Sequence, residues 1–230
     1  MKIIDFHTHI YPNRIAEKAS QATGNFYGIK PSFNGTSEEL LSVGRKAGIS
    51  RFVLLPVATK SDNVRHINKF ICDEVATHDK FYGFGTLHAD CDNLFDETDF
   101  IIKSGMRGIK LHPDTQGFNT DDKRLFEIFD YIQGKIPLLI HCGDKRFDFS
   151  HPRRLKNEDC YLDISSTMMF LPQEQVEHYI HSYGADRILF GTDYPLWNPV
   201  KEVASFKTLH LTYGEYEKIA YKNALEILVR

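Results

Sequence analysis

Short apolar segments alternate with segments of helical periodicity along the chain, and this alternation limits the folds open to it more than any other feature. Residues 49–57 and 136–141 are apolar runs of strand length. Between such runs, Val64, Ile67 and Ile71 recur at the spacing of one helix face. Strands that alternate with helices of this length predict the α/β class, with parallel strands joined by right-handed βαβ units.

One helix start is marked by a local signal. Thr36 precedes Glu39 by three positions, and apolar residues follow, which is the sequence pattern of a capping box. Two glycines, Gly44 and Gly48, stand where this helix is expected to end.

The composition is that of an ordinary globular chain. Of its 230 residues, 42% are hydrophobic and 26% are charged, and the net charge is −3. This balance favours neither nucleic acid nor an anionic membrane as a partner, and no apolar run reaches the ~18 residues that a membrane span needs. Four cysteines without a CxxC pair, and no apolar leader, favour a reduced cytoplasmic protein. We expect a single domain over residues 1–230.

Two histidines stand at the end of the first predicted strand. His7 and His9 are two positions apart, so in a strand both imidazoles project from the same face, together with Asp5. Two neutral imidazoles that converge in this way supply half of a divalent metal site. The alternative is a pair of loop histidines, since the spacing alone is a weak signal.

Two further residues with metal-binding chemistry follow apolar strands. His141 ends the run 137–141, and Asp193 follows the run 188–192. A carboxylate next to a buried strand is costly unless it is paired or bound to a metal. In α/β barrels the carboxyl ends of the strands carry the active site, so the sequence predicts that these side chains meet His7 and His9 there. The alternative is ordinary surface polarity at strand ends.

Four motifs together resemble the amidohydrolase superfamily, in the branch that includes aminocarboxymuconate semialdehyde decarboxylase. They are Asp5-Phe-His-Thr-His9, Gly108-Ile-Lys-Leu-His-Pro113, His141-Cys-Gly-Asp144 and Phe190-Gly-Thr-Asp-Tyr-Pro195. The resemblance implies a TIM-like (β/α)8 barrel that binds one divalent metal ion. It implies His7, His9, His141 and Asp193 as the metal ligands, with zinc as the first expectation and manganese as the alternative.

The chain departs from the family pattern after the fifth strand. The family has a histidine at the end of a sixth strand, but only nineteen residues separate His141 from Tyr161. One crossover with its helix takes about ten to twelve residues, so an additional strand and helix do not fit. We count seven strands and expect a barrel shortened by one strand–helix unit. His151 in this interval either replaces the missing histidine or is an exposed loop residue.

Two residues near the fourth strand are candidates for substrate binding. Lys110 and His112 lie on one face of the strand end, where a cation would hold a substrate carboxylate. The alternatives for Lys110 are a carbamylated, metal-bridging lysine, as in binuclear members of the superfamily, and a buried lysine paired with Asp114 or Asp163.

These residues indicate three functions in order of preference. The first is hydrolysis of a small anionic substrate, in which Asp193 accepts the proton of a metal-bound water. The second is non-oxidative, metal-dependent decarboxylation of an aromatic or unsaturated acid. The third is a degenerate barrel that binds a metal or ligand without turnover. An open barrel leaves strand edges that need cover, so we also expect a homodimer or an element that closes the gap.

Overall fold

The computed structural model describes residues 2–142, 144, 146–147, 149 and 160–229. Within these residues, strands and helices alternate, so the α/β class is confirmed. The chain divides into two compact units. The first comprises Met1–Leu54 and Cys160–Arg230, and the second comprises Leu55–Asp159. The expectation of one domain stays a prediction.

The strands of the described part are short, and their pairings are parallel. In chain order they are β1 (Ile4–Thr8), β2 (Arg51–Leu54), β3 (Phe81–Gly83), β4 (Gly85–Thr86), β5 (Ile109–Leu111), β6 (Leu138–Ile140), β7 (Leu162–Asp163) and β8 (Ile188–Leu189). The predicted third strand corresponds to β3 and β4, which are interrupted at Phe84.

The helices occupy the segments between the strands. In chain order they are α1 (Ala16–Tyr27), α2 (Ser37–Ala47), α3 (Val64–Thr77), α4 (Leu94–Lys103), α5 (Pro113–Gln116), α6 (Phe126–Ile132), α7 (Thr167–Phe170), α8 (Gln173–Tyr183), α9 (Pro199–Thr208), α10 (Tyr213–Glu217) and α11 (Asn223–Leu228). A π-helical turn, Lys218–Lys222, joins the last two.

In the first unit, β1 pairs with β2 and β7 pairs with β8. Backbone hydrogen bonds also join the first strand to the last, since the Phe6 amide donates to the Phe190 carbonyl at 2.8 Å. Further along, the Asp193 amide donates to the His7 carbonyl, also at 2.8 Å. The carboxyl ends of β1 and β8 therefore lie side by side.

In the second unit, β5 lies between β4 and β6. The loop after β5 is held by Gln116, whose side-chain oxygen accepts a hydrogen bond from the His112 amide at 2.7 Å. Its side-chain nitrogen donates to the carbonyls of Ala58, at 2.8 Å, and Leu87, at 2.7 Å. One buried glutamine thus fixes three segments of this unit relative to one another.

The predicted start of α2 is confirmed, with one difference. Thr36 accepts a hydrogen bond from the Glu39 amide at 3.2 Å, as in a capping box. The Glu39 carboxylate accepts from the amides of Asn34, at 2.8 Å, and Gly35, at 3.3 Å, which precede the cap. Gly48 ends the helix at φ 77°, a conformation that favours glycine because it has no Cβ.

The predicted gap in the barrel falls on residues that the structure does not describe. His151 and most of the interval after residue 142 lie outside the described residues, so the shortened barrel stays a prediction. Among the residues that are described, none of the helices combines the length and the apolar character that crossing a membrane requires.

Candidate metal centre

The first unit brings together three of the four predicted metal ligands. His7 lies on β1 and His9 follows it, while Asp193 comes four residues after β8. The backbone carbonyl of Tyr194 accepts from the His9 amide at 2.8 Å. Because main-chain bonds hold both segments, the three side chains start from fixed positions.

The three candidate ligand atoms form a small triangle. The Nε2 atoms of His7 and His9 are 3.1 Å apart. Oδ1 of Asp193 lies 3.8 Å from Nε2 of His7 and 3.4 Å from Nε2 of His9. Ligand atoms about 2.0–2.2 Å from a common zinc ion are separated by distances of this order. The donor set therefore fits a divalent cation.

The outer nitrogen of His7 is held by a carboxylate and a hydroxyl. Nδ1 lies 3.2 Å from both oxygens of Asp163 and 3.0 Å from Oγ of Ser165. A carboxylate accepts hydrogen bonds, so Nδ1 carries the proton and Nε2 presents its lone pair to the triangle. Metal-binding histidines are typically oriented in this way.

Asp193 is oriented in the same manner. Its Oδ2 accepts a hydrogen bond from Oγ of Ser166 at 2.7 Å. Burial alone would raise the pKa of Asp193, but the hydrogen bonds from His9 and Ser166 and the neighbouring imidazoles bring this pKa below its ordinary value. The carboxyl group is therefore ionised and able to bind a cation or accept a proton.

Two residues of this centre have strained backbones. Asp193 has φ 54° and Ser166 has φ 61°, and both values lie in the left-handed region that residues with a Cβ seldom occupy. Such conformations cost of order 1–3 kcal/mol each, and they concentrate at functional sites.

Close packing at Gly191 lets β1 and the segment after β8 approach each other. A Cβ at this position would lie 2.6 Å from Cβ of His7 and 3.1 Å from Cβ of Ser165. Any other residue type at position 191 would have a Cβ and would force His7 to shift.

Asp5 anchors the strand beneath the centre and is completely buried. It accepts hydrogen bonds from the Thr192 amide at 2.9 Å and the Thr192 hydroxyl at 2.6 Å. Burial raises the pKa of Asp5 to about 7, although these hydrogen bonds lower it. The side chain joins the first strand to the segment that carries Asp193.

The fourth predicted ligand, His141, lies in the second unit beside two other polar residues. Its Nε2 is 3.5 Å from Oδ2 of Asp114. The rings of His141 and His112 stack, with centroids 3.9 Å apart and planes 11° apart. An imidazole binds a metal in the plane of its ring, so these stacked rings would have to rotate before both could bind one ion. That His141 completes the metal centre stays a prediction.

Lys110 and His112, the predicted substrate-binding residues, both have little exposure. The Lys110 side chain is completely buried within β5, and His112 is 6% exposed. The Lys110 side chain is therefore shielded from water. Their role in substrate binding stays a prediction.

Sequence reasoning missed most of the residues that orient the ligands. The sequence indicates Asp163 only as an alternative partner of Lys110, and it indicates no role for Ser165 or Ser166. The available signal was the sequence Asp163-Ile-Ser-Ser166, which begins on β7 and places three polar residues at the end of that strand.

A family of proteins described as Amidohydrolase matches residues 145–229, which include Asp163, Ser166 and Asp193 but neither His7 nor His9. The resemblance to the amidohydrolases is confirmed. The match covers less than half of the chain, and none of the curated proteins matches significantly.

Solved structures resemble this fold over the whole chain. An uncharacterised TIM-barrel protein from Bordetella bronchiseptica is 20% identical, with TM-score 0.80, and the match covers 100% of this chain and 99% of that one. The 5-carboxyvanillate decarboxylase of Sphingomonas paucimobilis is 13% identical, with TM-score 0.77 and 99% of both chains covered. The 5-carboxyvanillate decarboxylase of Novosphingobium aromaticivorans, solved with bound manganese, is 15% identical with TM-score 0.70, covering 99% and 97%. At sequence identities of 13% to 20%, the similarity to these structures concerns the fold alone.

Proposed function

We propose that this chain is a divalent-metal-dependent enzyme that acts on a small organic anion. The convergence of Nε2 of His7, Nε2 of His9 and Oδ1 of Asp193 within 3.8 Å carries this proposal. These residues would hold the ion, with His141 as the fourth ligand expected from the sequence. When bound, the ion supplies positive charge that polarises a substrate oxygen and makes a bound water more acidic. Zinc stays the first expectation, and manganese is the alternative.

Hydrolysis is the reaction that the state of Asp193 favours. Asp193 is ionised, and its Oδ1 lies 3.4 Å from Nε2 of His9, so the carboxylate is placed to accept the proton of a water bound at this centre. Addition of that water to the scissile carbonyl forms a C–O bond, and Asp193 returns the proton to the leaving group as the scissile bond breaks. Asp193 thus both accepts and donates the transferred proton.

Decarboxylation is the second candidate, and the comparisons favour it. Two of the three solved structures described above are named as decarboxylases, although a shared fold does not by itself transfer an activity. In this reaction the bond to the carboxylate carbon breaks, CO₂ leaves, and the electron pair stays on the substrate carbon, which then takes a proton. An ionised Asp193 must first gain a proton before it can donate one, which makes the fit to this reaction less direct.

The metal content of the purified protein tests the proposal. We expect about one zinc or manganese per chain by elemental mass spectrometry, and loss of that metal in the double variant His7→Ala/His9→Ala. The matched control His66→Ala/His178→Ala removes two exposed histidines and should retain the metal. Protein that holds no metal and also fails to bind added zinc would overturn the proposal and leave the non-catalytic interpretation.

The two reactions are distinguished by their products. Protein loaded with metal is incubated with esters, lactones, amides and aromatic carboxylic acids, and CO₂ release is followed together with incorporation of oxygen from labelled water. Labelled oxygen in the organic product without CO₂ release indicates hydrolysis, and CO₂ release with no label in the organic product indicates decarboxylation. The expected roles of Lys110 and His112, the homodimer and the cytoplasmic location stay predictions.

A further inference from the structure

The chain contains one tryptophan, Trp197, and its indole contacts a residue of the candidate metal centre. Its Nε1 is 2.7 Å from Oγ of Ser166. The same hydroxyl lies 2.7 Å from Oδ2 of Asp193. Trp197, Ser166 and Asp193 thus form a chain of two hydrogen bonds that ends on a candidate ligand.

The direction of both hydrogen bonds is fixed by chemistry. An indole N–H only donates, so Oγ of Ser166 must accept from Trp197. A serine hydroxyl has one proton, and an ionised carboxylate only accepts. The Ser166 proton therefore points at Oδ2 of Asp193, and Trp197 excludes the reverse orientation.

This chain of hydrogen bonds gives the two oxygens of Asp193 different partners. Oδ2 is occupied by Ser166, and Oδ1 is the oxygen that lies 3.4 Å from Nε2 of His9. The strained backbones of Ser166, at φ 61°, and Asp193, at φ 54°, accompany this arrangement. Phe170 packs edge-on against Trp197, with ring centroids 6.0 Å apart, and restricts the position of the indole.

We propose that Trp197 is a positioning residue that acts through Ser166 to direct Oδ1 of Asp193 toward the metal ion. This inference rests on the proposed metal centre and goes beyond it, because it assigns a role to residues that are not ligands. It also makes the emission of the only tryptophan a reporter of metal binding, since the ion would change the charge at the end of the hydrogen-bond chain.

Zinc affinity, measured by competition with a coloured chelator, tests this role without reference to activity. Residues that orient metal ligands typically contribute about 10- to 100-fold in affinity. We expect Ser166→Ala to weaken zinc binding about tenfold or more, and Trp197→Phe, which removes the N–H, to weaken it by a smaller factor. In wild type, added zinc should also change the tryptophan emission, and Ser166→Ala should reduce that change.

A double-mutant cycle separates a positioning role from a merely structural one. If Trp197 acts through Ser166, Trp197→Phe should have little further effect on zinc affinity in the Ser166→Ala background. Equal effects of Trp197→Phe in both backgrounds would overturn the inference.

Two further variants separate the hydroxyl from the backbone strain. Ser166→Gly relieves the left-handed conformation but lacks the hydroxyl, so its zinc affinity should be as weak as that of Ser166→Ala. Ser166→Asn tolerates this conformation and offers an N–H donor, so it should recover part of the affinity. Recovery in Ser166→Gly alone would overturn the role of the hydroxyl. If wild type itself binds no zinc, the proposed function fails as well, whereas wild-type affinity in Ser166→Ala contradicts only this inference.

Discussion

Both carboxylate oxygens of Asp163 lie 3.2 Å from Nδ1 of His7. This contact keeps the proton of the imidazole on the side away from the candidate metal centre. Asp163→Asn would replace a charged acceptor with a neutral amide that can also donate, so the preferred tautomer is weakened. We expect zinc affinity to fall by about 10- to 100-fold, measured by chelator competition. Asp62→Asn, at an exposed position, is the control, and equal affinities in the two variants would contradict this role.

Gly191 is required by the packing against His7. Gly191→Ala would place a methyl group 2.6 Å from Cβ of His7, so the strand that carries His7 must shift. Overpacking of this kind costs about 1–3 kcal/mol, and we expect a loss of about 2 kcal/mol in the free energy of unfolding, measured by urea denaturation.

The matched control is Gly214→Ala. A Cβ at Gly214 meets no atom within 4 Å, and the residue lies inside α10. Alanine is the better helix former, so this variant should gain up to about 1 kcal/mol. A Gly191→Ala protein as stable as wild type, with unchanged zinc affinity, would show that the segment has room to adjust.

Glu202 predicts a stability that depends on pH. Its side chain is buried, and burial together with the nearby charges of Asp5 and Asp193 raises its pKa from 4.5 to about 7. Between these two pKa values, Glu202 keeps its proton in the folded protein and releases it in the unfolded chain. This contribution to stability is complete below about pH 4.5 and is lost as the pH rises through about 7.

Glu202→Gln removes this titration. In protein stripped of metal with a chelator, we expect wild type to lose about 3 kcal/mol relative to Glu202→Gln between about pH 4.5 and pH 8. Urea denaturation across this range provides the comparison, and Glu127→Gln, at an exposed position, should follow wild type. Parallel pH profiles for wild type and Glu202→Gln would contradict the raised pKa.

Asp193→Asn tests the proton transfer in the proposed hydrolysis. The amide cannot accept the proton of the attacking water, so kcat should fall by about 100-fold or more. The measurement is made at saturating metal, so that a weaker ligand is not mistaken for a lost base. Full turnover in this variant would remove Asp193 from the proton-transfer role.

The sequence predicted the parts of the structure that follow from local patterns. The helix start at Thr36 and the convergence of His7, His9 and Asp193 could be inferred because capping and strand-end positions have recognisable spacing. The residues that orient the ligands, among them Asp163 and Ser166, could not be inferred from the sequence. Ser166 has a left-handed backbone conformation that a serine in a sequence does not indicate, and Asp163 lies on a strand of only two residues. The stacking of His112 on His141 depends on side-chain rotation, which periodicity does not determine.

The bond between Asp5 and Thr192 spans 187 positions of the chain. During synthesis at roughly 5–20 residues per second, about 10 to 40 seconds pass between the appearance of these two residues. For that interval β1, which carries His7, can pair with β2, but the segment that carries Asp193 does not yet exist. The candidate metal centre can therefore be completed only late in translation, and an ion captured earlier by the two histidines would be held without Asp193.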